Sequence, residues 1–365
     1  MKKILIIIGT RPNFIKVTQF KRVAKQYKNL EIKIAHTGQH YDAKMSDIFF
    51  EQFGLTPDYF MNIPQASPNT QMAEIMLRLE DIITNKFTPD LIIVPGDVNS
   101  TFAAALTANK MGIKIAHLES GLRSFDRGMP EEINRILTDE ITDYYFITEQ
   151  SGIDHLKEEK KHGKPVFVGN TMIDTMVGFE DNIQASPVME ELKLEKDKFV
   201  LMTIHRPALV DVKEEVEKLL SLIKHMSANY KIVFPIHPRT VNNLKKFELF
   251  DEFNKIENLI LGEPMDYFAF QKLIANCSFI LTDSGGIQEE STFRQVPCLT
   301  LRPNTERPST ITLGTNKLIE FDLEKIITEI TLIENGTYKK GQIPPLWDGK
   351  ATERILEFVE GELFN

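Results

Sequence analysis

Short apolar segments alternate with helix-like segments along the whole 365-residue chain, and this alternation constrains the fold most. The apolar segments have the length of buried strands and lie at residues 4–8, 32–35, 91–94, 113–118, 144–147, 166–168, 199–203, 232–235, 259–261, 279–282 and 298–300. Between them, apolar residues recur at helical spacing, as at 14–26, 71–85 and 212–226. Continuous apolar strands separated by helices are typical of parallel sheets covered on both faces. The sequence therefore predicts an α/β fold.

The chain is long for one hydrophobic core, and its middle is interrupted by a polar stretch at 181–198 that contains no strand pattern. We expect a Rossmann-like domain at 1–169, a second one at 170–350, and a C-terminal helix at 351–365 that packs back on the first domain. Ligands in such sheets bind beyond the carboxyl ends of the strands. Two Rossmann-like domains that face each other would place the site in a central cleft.

Composition narrows the class of protein. The net charge of −9 argues against a general surface for nucleic acid or an anionic membrane. The apolar start of the chain is too short for a signal peptide, and no apolar run reaches the roughly 20 residues of a membrane span. We therefore expect a cytoplasmic enzyme.

Several motifs of cofactor and metal sites are missing from the sequence. Cys277 and Cys298 form no CxxC pair and are expected to be buried, reduced thiols. The chain has no GxGxxG motif, no GxxxxGK[ST] motif and no HExxH motif. We expect no nicotinamide, ATP or metal site, and no cofactor.

Two adjacent glycines, Gly285 and Gly286, follow an apolar strand segment and precede a helix-like segment. At such a turn the backbone can approach a ligand closely, and the free N–H groups of a helix start favour an anion such as phosphate. Glu289 and Glu290 follow one turn later, where carboxylates would accept hydrogen bonds from sugar hydroxyls. This pattern is typical of a nucleotide-sugar site. The alternative is a tight turn with a solvated acidic face.

Carboxylates follow the predicted strands of the first half. Asp97 comes after 91–94, Glu119 after 113–118, and Glu131 opens the next helix. Because the carboxyl ends of parallel strands meet at one edge of a sheet, these three side chains could converge there, where mutual repulsion suits acid–base work. A proline followed by acids, as in Pro130-Glu131-Glu132, is also ordinary chemistry for a helix start, and that would explain one glutamate.

Cations follow the strands in both halves. Arg11 and Lys16 come after the first strand, and His205 and Arg206 come after 199–203, where they could neutralise a departing phosphate. His237 follows another predicted strand. Further charges, at Arg302, Glu306 and Arg307, cluster after 298–300. A lone histidine at such a position can also be purely structural.

With these residues in place, the chain resembles the non-hydrolysing UDP-N-acetylglucosamine 2-epimerases, bacterial enzymes with a GT-B-like fold of two Rossmann-like domains. The resemblance covers essentially the whole length. It is carried by Gly9-Thr10-Arg11-Pro12, Gly38-Gln39-His40, Gly96-Asp97, His117-Leu118-Glu119-Ser120-Gly121-Leu122-Arg123, Pro130-Glu131-Glu132-Ile133-Asn134-Arg135, Asp283 to Glu290, and Thr305-Glu306-Arg307-Pro308. It implies interconversion of UDP-GlcNAc and UDP-ManNAc for surface polysaccharide synthesis, without a cofactor, by a homodimer.

The resemblance also implies roles for individual residues. The diphosphate would be held by Arg11, His205, Arg206, Ser284, Gly285 and Gly286. Glu290 would bind the ribose hydroxyls and Phe270 would lie against uracil, although an ordinary core position is the alternative for Phe270. Proton transfer would fall to Asp97, Glu119 and Glu131, with Lys16 and Arg135 nearby. In many bacterial members a second UDP-GlcNAc is an activator, and Gln39, Arg206 and His237 match that site.

The reaction implied by the resemblance explains why these residue types occur together. The C-2 hydrogen of GlcNAc has no adjacent carbonyl to make it acidic, so the family is understood to eliminate UDP to a glycal and then add it back. This route needs cations on the leaving diphosphate, carboxylates near C-2, and exclusion of water.

The chain also departs from the family pattern. Asn13 stands where a glutamate is usual, Ala208-Leu209 replace a polar pair, and Asn69 and Asp42 stand where an arginine and a glutamine are expected. These changes leave room for a modified substrate, such as a UDP-linked diacetamido uronic acid or a 6-deoxy acetamido sugar. Less favoured alternatives are a GT-B glycosyltransferase, a hydrolysing epimerase and a non-catalytic sensor of UDP-sugars.

Overall fold

The computed structural model describes residues 1–38 and 50–364, and it divides into two units. The first unit contains Met1–Gly178 and Pro345–Asn365, and the second contains Phe179–Pro344. Each unit is built on one parallel sheet, so the predicted α/β fold with two parallel, Rossmann-like sheets is confirmed. The sheet of the first unit has the order β3-β2-β1-β4-β5-β6-β7, and that of the second has the order β10-β9-β8-β11-β12-β13.

The strands of the first unit are β1 Lys2–Ile8, β2 Leu30–His36, β3 Tyr59–Phe60, β4 Leu91–Pro95, β5 Lys114–Leu118, β6 Tyr144–Ile147 and β7 Lys164–Phe167. Its described helices are α1 Arg11–Ile15, α2 Phe20–Ala24, α3 Pro68–Asn85, α4 Asn99–Lys110, α5 Pro130–Glu140, α6 Gln150–Glu158, α7 Thr171–Gly178 and, at the C-terminus, α18 Ala351–Phe364.

The strands of the second unit are β8 Phe199–Thr203, β9 Lys231–Pro235, β10 Leu259–Gly262, β11 Phe279–Thr282, β12 Cys298–Thr300 and β13 Asn316–Leu318. Its helices are α8 Glu180–Ala185, α9 Val188–Glu191, α10 Pro207–Val210, α11 Lys213–Met226, α12 Pro238–Lys246, α13 Phe250–Asn254, α14 Tyr267–Asn276, α15 Gly286–Arg294, α16 Ser309–Thr312 and α17 Leu323–Glu334.

The core of the first unit explains why its central strands are apolar throughout. Leu5 and Ile7 of β1 lie in one buried cluster with Ile92 of β4 and with apolar side chains of α3 and α4. Neighbouring positions such as Ile6 are equally buried, because the strand is covered on both faces. Parallel pairing of β1 with β4 and of β4 with β5 brings the carboxyl ends of these strands to one edge of the sheet.

Three details differ from the sequence predictions. The helix predicted at 14–26 is interrupted by a turn at 16–19, in which the N–H of Val17 donates to the Phe14 carbonyl and that of Phe20 donates to the Val17 carbonyl. The short strands β3 and β13 were not predicted. The change of unit falls after Gly178 and before Pro345, whereas boundaries after 169 and 350 were expected.

Contacts between α7 and α18 explain why the boundary between the two units falls where it does. Asp174 of α7 accepts hydrogen bonds from the N–H groups of Ala351 and Thr352, and so caps the C-terminal helix α18. Trp347, which is buried, donates its indole N–H to the carbonyl of Thr148 at 2.9 Å. These contacts place α7 and the C-terminal segment in the first unit.

The two cysteines lie in the second unit, and both are free and buried, as predicted. Burial raises the pKa of Cys298 to about 11 and that of Cys277 further still. Within the described part of the chain, no helix combines the length and apolar character needed to cross a membrane.

We expect the pH dependence of stability to depend on His36, at the end of β2. Its Nδ1 accepts a hydrogen bond from the N–H of Gly38 at 2.9 Å, and burial lowers its pKa to about 4. Between pH 6.5 and 4 the unfolded chain therefore binds a proton that the folded chain does not, so stability falls as the pH is lowered through this window. The loss should be on the order of 3 kcal/mol, at 1.4 kcal/mol for each pKa unit. Urea unfolding followed at several pH values measures it.

The variant His36→Asn keeps an acceptor near the position of Nδ1 but cannot titrate. The difference in unfolding free energy between pH 6.5 and 4 should be smaller in this variant than in the wild type. His225→Asn, at an exposed position of α11, is the matched control. An unchanged pH dependence in His36→Asn would contradict the assignment.

Candidate active site

The first unit brings a buried lysine and a buried glutamate into contact at the carboxyl edge of its sheet. Lys16, in the turn between α1 and α2, places Nζ 2.6 Å from Oε2 of Glu119, and the two side chains are 6% and 4% exposed. Glu119 directly follows β5 with φ +74°, a left-handed conformation that is uncommon for a residue with a side chain. Among the described residues, no group donates a hydrogen bond to the second carboxylate oxygen, Oε1. The pair thus holds one glutamate oxygen, while the other is buried without a hydrogen-bond partner among the described residues.

The contact between Lys16 and Glu119 also requires a glycine at position 96, directly after β4. Its φ is +69°, and an added Cβ would lie 3.0 Å from Nδ2 of Asn13 and 3.1 Å from Nζ of Lys16. Asn13 is buried beneath it, donating Nδ2 to the carbonyl of Pro95 and accepting from the hydroxyl of Thr10. The loops after β1, β4 and β5 therefore meet at the ammonium group of Lys16.

Asp97, the next residue, pairs with an arginine of α5. Its Oδ2 lies 2.6 Å from Nη1 of Arg135, whose guanidinium also contacts Oε2 of Glu132 at 3.1 Å. Arg135 and Glu132 are buried, while Asp97 is about one-third exposed. Glu131 lies in the first turn of α5 and is exposed. The structure thus distinguishes the two adjacent glutamates, with Glu132 inside the protein and Glu131 on its surface.

A second buried charge cluster lies below the Glu119 loop. Asp139 of α5 contacts Nδ1 of His117 at 2.6 Å and Nη1 of Arg123 at 2.7 Å, and it accepts from the N–H of Gly121 at 3.1 Å. Burial alone would raise the pKa of Asp139, but His117 and Arg123 outweigh it and hold this pKa below its usual value. Arg123 in turn forms a bidentate pair with Glu159.

In the second unit, one buried aspartate shapes the turn that carries two predicted site residues. Asp283 directly follows β11, and its Oδ2 accepts from the N–H groups of His205 and Arg206 at 2.8 and 2.7 Å. Its Oδ1 lies 2.9 Å from Nδ1 of His205, and its carbonyl accepts from Nε of Arg206. The His205-Arg206 turn after β8 is thereby fixed against the end of β11.

Two arginines and a glutamate surround Gly285 at the start of α15. An added Cβ would lie 3.0 Å from Oε1 of Glu306, 3.1 Å from Nη1 of Arg307 and 3.6 Å from Nη1 of Arg302. Burial lowers the pKa of Arg302, an effect that Glu306 opposes and that Arg206 and Arg307 reinforce. Within the described chain, Nε and Nη1 of Arg302 have no hydrogen-bond partner. Positive charge, a close backbone approach and a helix start together form a site suited to an anion.

The remaining predicted residues lie at the same loops or on adjoining helices. Arg11 is exposed at the start of α1. The ring of His237 lies 6.1 Å from that of His205, and partial burial, with His205 and Arg239 nearby, lowers its pKa. Ser284 donates its N–H to Thr282, and Glu290 is buried on α15. Phe270 is half-buried on α14 and packs on the core of the second unit.

Sequence reasoning missed the residues that hold the others in place, namely Glu132, Asp139 and Asp283. Glu132 and Asp283 belong to motifs that were singled out, but nothing in the sequence distinguishes a buried carboxylate from its exposed neighbour. Asp139 follows Glu132 at seven residues, a helical spacing that could have indicated a shared face. Gln39, His40 and Asp42 lie outside the described residues.

Comparison with known proteins decides the family. The family model described as UDP-N-acetylglucosamine 2-epimerase matches residues 22–360. The chain belongs to this family.

Known relatives match this chain along nearly its full length. A UDP-N-acetylglucosamine 2-epimerase homolog of Methanococcus maripaludis is 42% identical over 98% of this chain and 99% of the relative. The UDP-2,3-diacetamido-2,3-dideoxy-D-glucuronate 2-epimerase of Pseudomonas aeruginosa is 37% identical, over 98% of this chain and 99% of its own length. The crystal structure of Methanocaldococcus jannaschii UDP-GlcNAc 2-epimerase in complex with UDP-GlcNAc and UDP superimposes with a TM-score of 0.87 at 38% identity, covering 98% and 99% of the two chains.

Membership identifies the protein as an isomerase with a GT-B-like fold, and the resemblance inferred from its motifs is confirmed. The family is not confined to bacteria, since two of these relatives are archaeal. The relatives differ in the sugar that their names specify. Family membership therefore fixes the reaction type more closely than it fixes the substrate.

Proposed function

We propose that the protein interconverts UDP-GlcNAc and UDP-ManNAc at C-2 by eliminating UDP to a glycal and adding it back. The observation that carries the proposal is the buried contact of Lys16 with Glu119, which leaves Oε1 of a strained glutamate without a donor among the described residues. A carboxylate held in this way is suited to exchanging a proton with a substrate carbon. Left-handed backbone at residues with side chains is concentrated at functional sites.

The proposed reaction conserves all its atoms. A base removes the C-2 proton while the bond from C-1 to the diphosphate oxygen breaks, and UDP leaves with the electron pair. The glycal then has a double bond between C-1 and C-2. In the return step the diphosphate oxygen bonds to C-1 again, and an acid delivers a proton to the opposite face of C-2. No electron acceptor is required.

We assign the proton transfers to the carboxylates of the first unit. Asp97, Glu119 and Glu131 are the proposed acid–base residues, and Lys16 and Arg135 are the cations that pair with two of them. Pairing keeps Glu119 and Asp97 in defined orientations, as a positioned general acid or base requires. The exposed position of Glu131 makes it accessible to a ligand.

We assign UDP binding mainly to the second unit. His205, Arg206 and the start of α15 at Ser284, Gly285 and Gly286 would hold the diphosphate. Arg11 is a further candidate cation for it. Arg302 and Arg307 belong to the same cationic cluster. Glu290 would accept from the ribose hydroxyls, Phe270 would lie against uracil, and His237 would contribute beside His205. Cations at a departing diphosphate stabilise the charge that develops as the C-1 bond breaks.

A modified UDP-acetamido sugar is the second candidate substrate. The identity of 37% to the diacetamido-glucuronate epimerase is close to the identity to the Methanocaldococcus jannaschii enzyme. Replacement of the usual polar pair by Ala208-Leu209 adds to the case for a different sugar. This alternative keeps the chemistry and changes only the groups on the sugar ring.

Proton NMR of the enzyme with UDP-GlcNAc in deuterated water tests the proposal. We expect signals of UDP-ManNAc and incorporation of deuterium at C-2 in both sugars, because the UDP-sugar loses its C-2 proton when the glycal forms and C-2 is then protonated from a group that has exchanged with solvent. Glu119→Gln should slow this exchange by about 10²–10⁴-fold, the usual contribution of a general acid or base.

The outcomes separate the candidate substrates. Exchange with UDP-2,3-diacetamido-2,3-dideoxy-glucuronate but not with UDP-GlcNAc would assign the modified sugar. Failure of both sugars to exchange, in protein that still binds UDP, would contradict the epimerase proposal. Epimerisation without deuterium incorporation would contradict the elimination route.

Substitution of Asp283 should weaken UDP binding although this side chain is buried behind the site. The Asp283 carboxylate now accepts from the N–H groups of His205 and Arg206 and contacts Nδ1 of His205. Asp283→Asn removes its negative charge and replaces one of its oxygens by an N–H₂, which would weaken the hold on the His205-Arg206 turn. Loss of a hydrogen bond to a charged group corresponds to about 1.5–3 kcal/mol, or roughly 10-fold to 100-fold in the dissociation constant for UDP. Isothermal titration calorimetry measures it. Asp251→Asn, exposed on α13, is the matched control, and equal affinities in the two variants would contradict this role.

We expect UDP-GlcNAc to activate the enzyme weakly or not at all. Asn69, at the exposed start of α3, and Asp42 replace residues of the activator site found in many bacterial members. The measurement is the rate of UDP-ManNAc consumption with increasing UDP-GlcNAc. Strong, saturable acceleration would contradict the prediction.

A further inference from the structure

Helix α5 buries a charged face. Most helices at the surface of a protein turn an apolar stripe towards the core. In α5 the buried residues are Glu132, Asn134, Arg135, Thr138 and Asp139. Glu132, Arg135 and Asp139 follow one another at spacings of three and four, so they lie on one side of the helix. Burying these charges is costly unless each is paired, and here each is paired with a group at the carboxyl edge of the sheet or with its neighbour on the helix.

Asp139 links the two loops that follow β4 and β5. It accepts directly from the N–H of Gly121, in the loop that begins with Glu119. It also contacts Nδ1 of His117, whose Nε2 lies 2.8 Å from the carbonyl of Gly96. Both loops are left-handed where they leave their strands, with φ +69° at Gly96 and +74° at Glu119. One carboxylate therefore fixes two left-handed turns relative to each other.

Glu132, in the first turn of the helix, fixes the other end of the Glu119 loop. It accepts from the N–H groups of Ser124 and Phe125, both at 2.9 Å, which fixes the far end of the loop that begins at Glu119. It also accepts from Nε of Arg135, whose Nη1 contacts Asp97 at 2.6 Å. The orientation of the Asp97 carboxylate thus depends on a glutamate that is itself inaccessible to a ligand.

We propose that Glu132 and Asp139 are positioning residues, and that the charged face of α5 is the rigid element that sets the geometry of Asp97 and Glu119 for proton transfer. The inference rests on the proposed function, in which these two carboxylates act at the sugar. Neither Glu132 nor Asp139 contacts substrate. Each acts through another residue, Glu132 through Arg135 and Asp139 through His117 and the backbone of Gly121.

The test compares Glu132→Gln and Asp139→Asn with the wild-type enzyme. In Glu132→Gln an N–H₂ must face a donor, because both oxygens of Glu132 accept from N–H groups. Asp139→Asn removes the negative charge that contacts His117 and Arg123. We expect kcat for epimerisation to fall by about 100-fold, since a displacement near 1 Å of a reacting group has an effect of this size. KM and the dissociation constant for UDP should stay at wild-type values, because the residues assigned to UDP lie mainly in the second unit. A loss of folded protein would instead lower the number of UDP sites, which the same titration measures.

Hydrogen exchange followed by mass spectrometry supplies a readout that does not depend on turnover. The amides of Ser124 and Phe125 in Glu132→Gln, and that of Gly121 in Asp139→Asn, no longer donate to a carboxylate. Peptides covering 119–126 should therefore exchange faster, with the rest of the first unit unchanged. Glu140→Gln is the matched control, because Glu140 lies on the same helix but its side chain is 58% exposed. If Asp139→Asn does not fold, Glu132→Gln alone decides the proposal.

Each result has one meaning. Faster exchange at 119–126 with unchanged kcat would overturn the positioning role, as would equal losses of kcat in Glu132→Gln and Glu140→Gln. A reduced kcat with unchanged KM and unchanged UDP sites would support it. Wild-type protein that binds UDP but epimerises neither candidate sugar would overturn the proposed function, and the positioning role in proton transfer with it.

Discussion

Burial of charge is the constraint on which the first unit depends. Lys16, Glu119, Arg135 and Asp139 are almost wholly withdrawn from water, and a buried ion without a partner costs several kcal/mol. Each of them has a partner of opposite charge at 2.6–3.1 Å. Such pairing adds little net stability compared with apolar residues, but removal of one member leaves the other unpaired. The network is therefore better understood as a means of fixing side-chain positions than as a source of stability.

In the second unit, by contrast, some buried cationic groups are not fully paired within the described part of the chain. Asp283 accepts hydrogen bonds from the backbone N–H groups of the His205-Arg206 turn. Glu289 and Glu306 pair with Arg307. Arg302 keeps two nitrogens without a hydrogen-bond partner among the described residues. These cationic groups can still donate hydrogen bonds, and they lie beside a helix that begins with glycine. Such groups are suited to binding an anionic ligand. An acidic chain can thus bind an anion, because a few cations are concentrated at one edge of a sheet while the net charge of −9 is spread elsewhere.

Most of the secondary structure, and the placement of many candidate site residues at the ends of strands, could be predicted from the sequence because they depend on local patterns. Apolar strands of four or five residues, such as β4 and β8, are visible in any window. The helix predicted at 14–26 failed because tertiary contacts override helical periodicity there, where Lys16 turns inward to Glu119 and the hydroxyl of Thr18 bonds that of Thr175. β3 has only two residues, which is too short for a period to be detected, and β13 reads Asn316-Lys317-Leu318, which is not an apolar run. The roles of Glu132 and Asp139 depend on contacts across the sheet edge that no spacing reveals.

Asn13 shows how a departure from the family pattern is accommodated physically. Its amide donates to the carbonyl of Pro95 and accepts from Thr10, so it satisfies both an acceptor and a donor beneath Gly96. A glutamate at this position could not donate to that carbonyl. It would also bring a second carboxylate close to the space that Nζ of Lys16 shares with Gly96. With the neutral asparagine, Lys16 serves a single carboxylate, and the ion pair with Glu119 is balanced in charge. The substitution thus preserves the scaffold of the loop after β1 while it changes how the charge of Lys16 is shared.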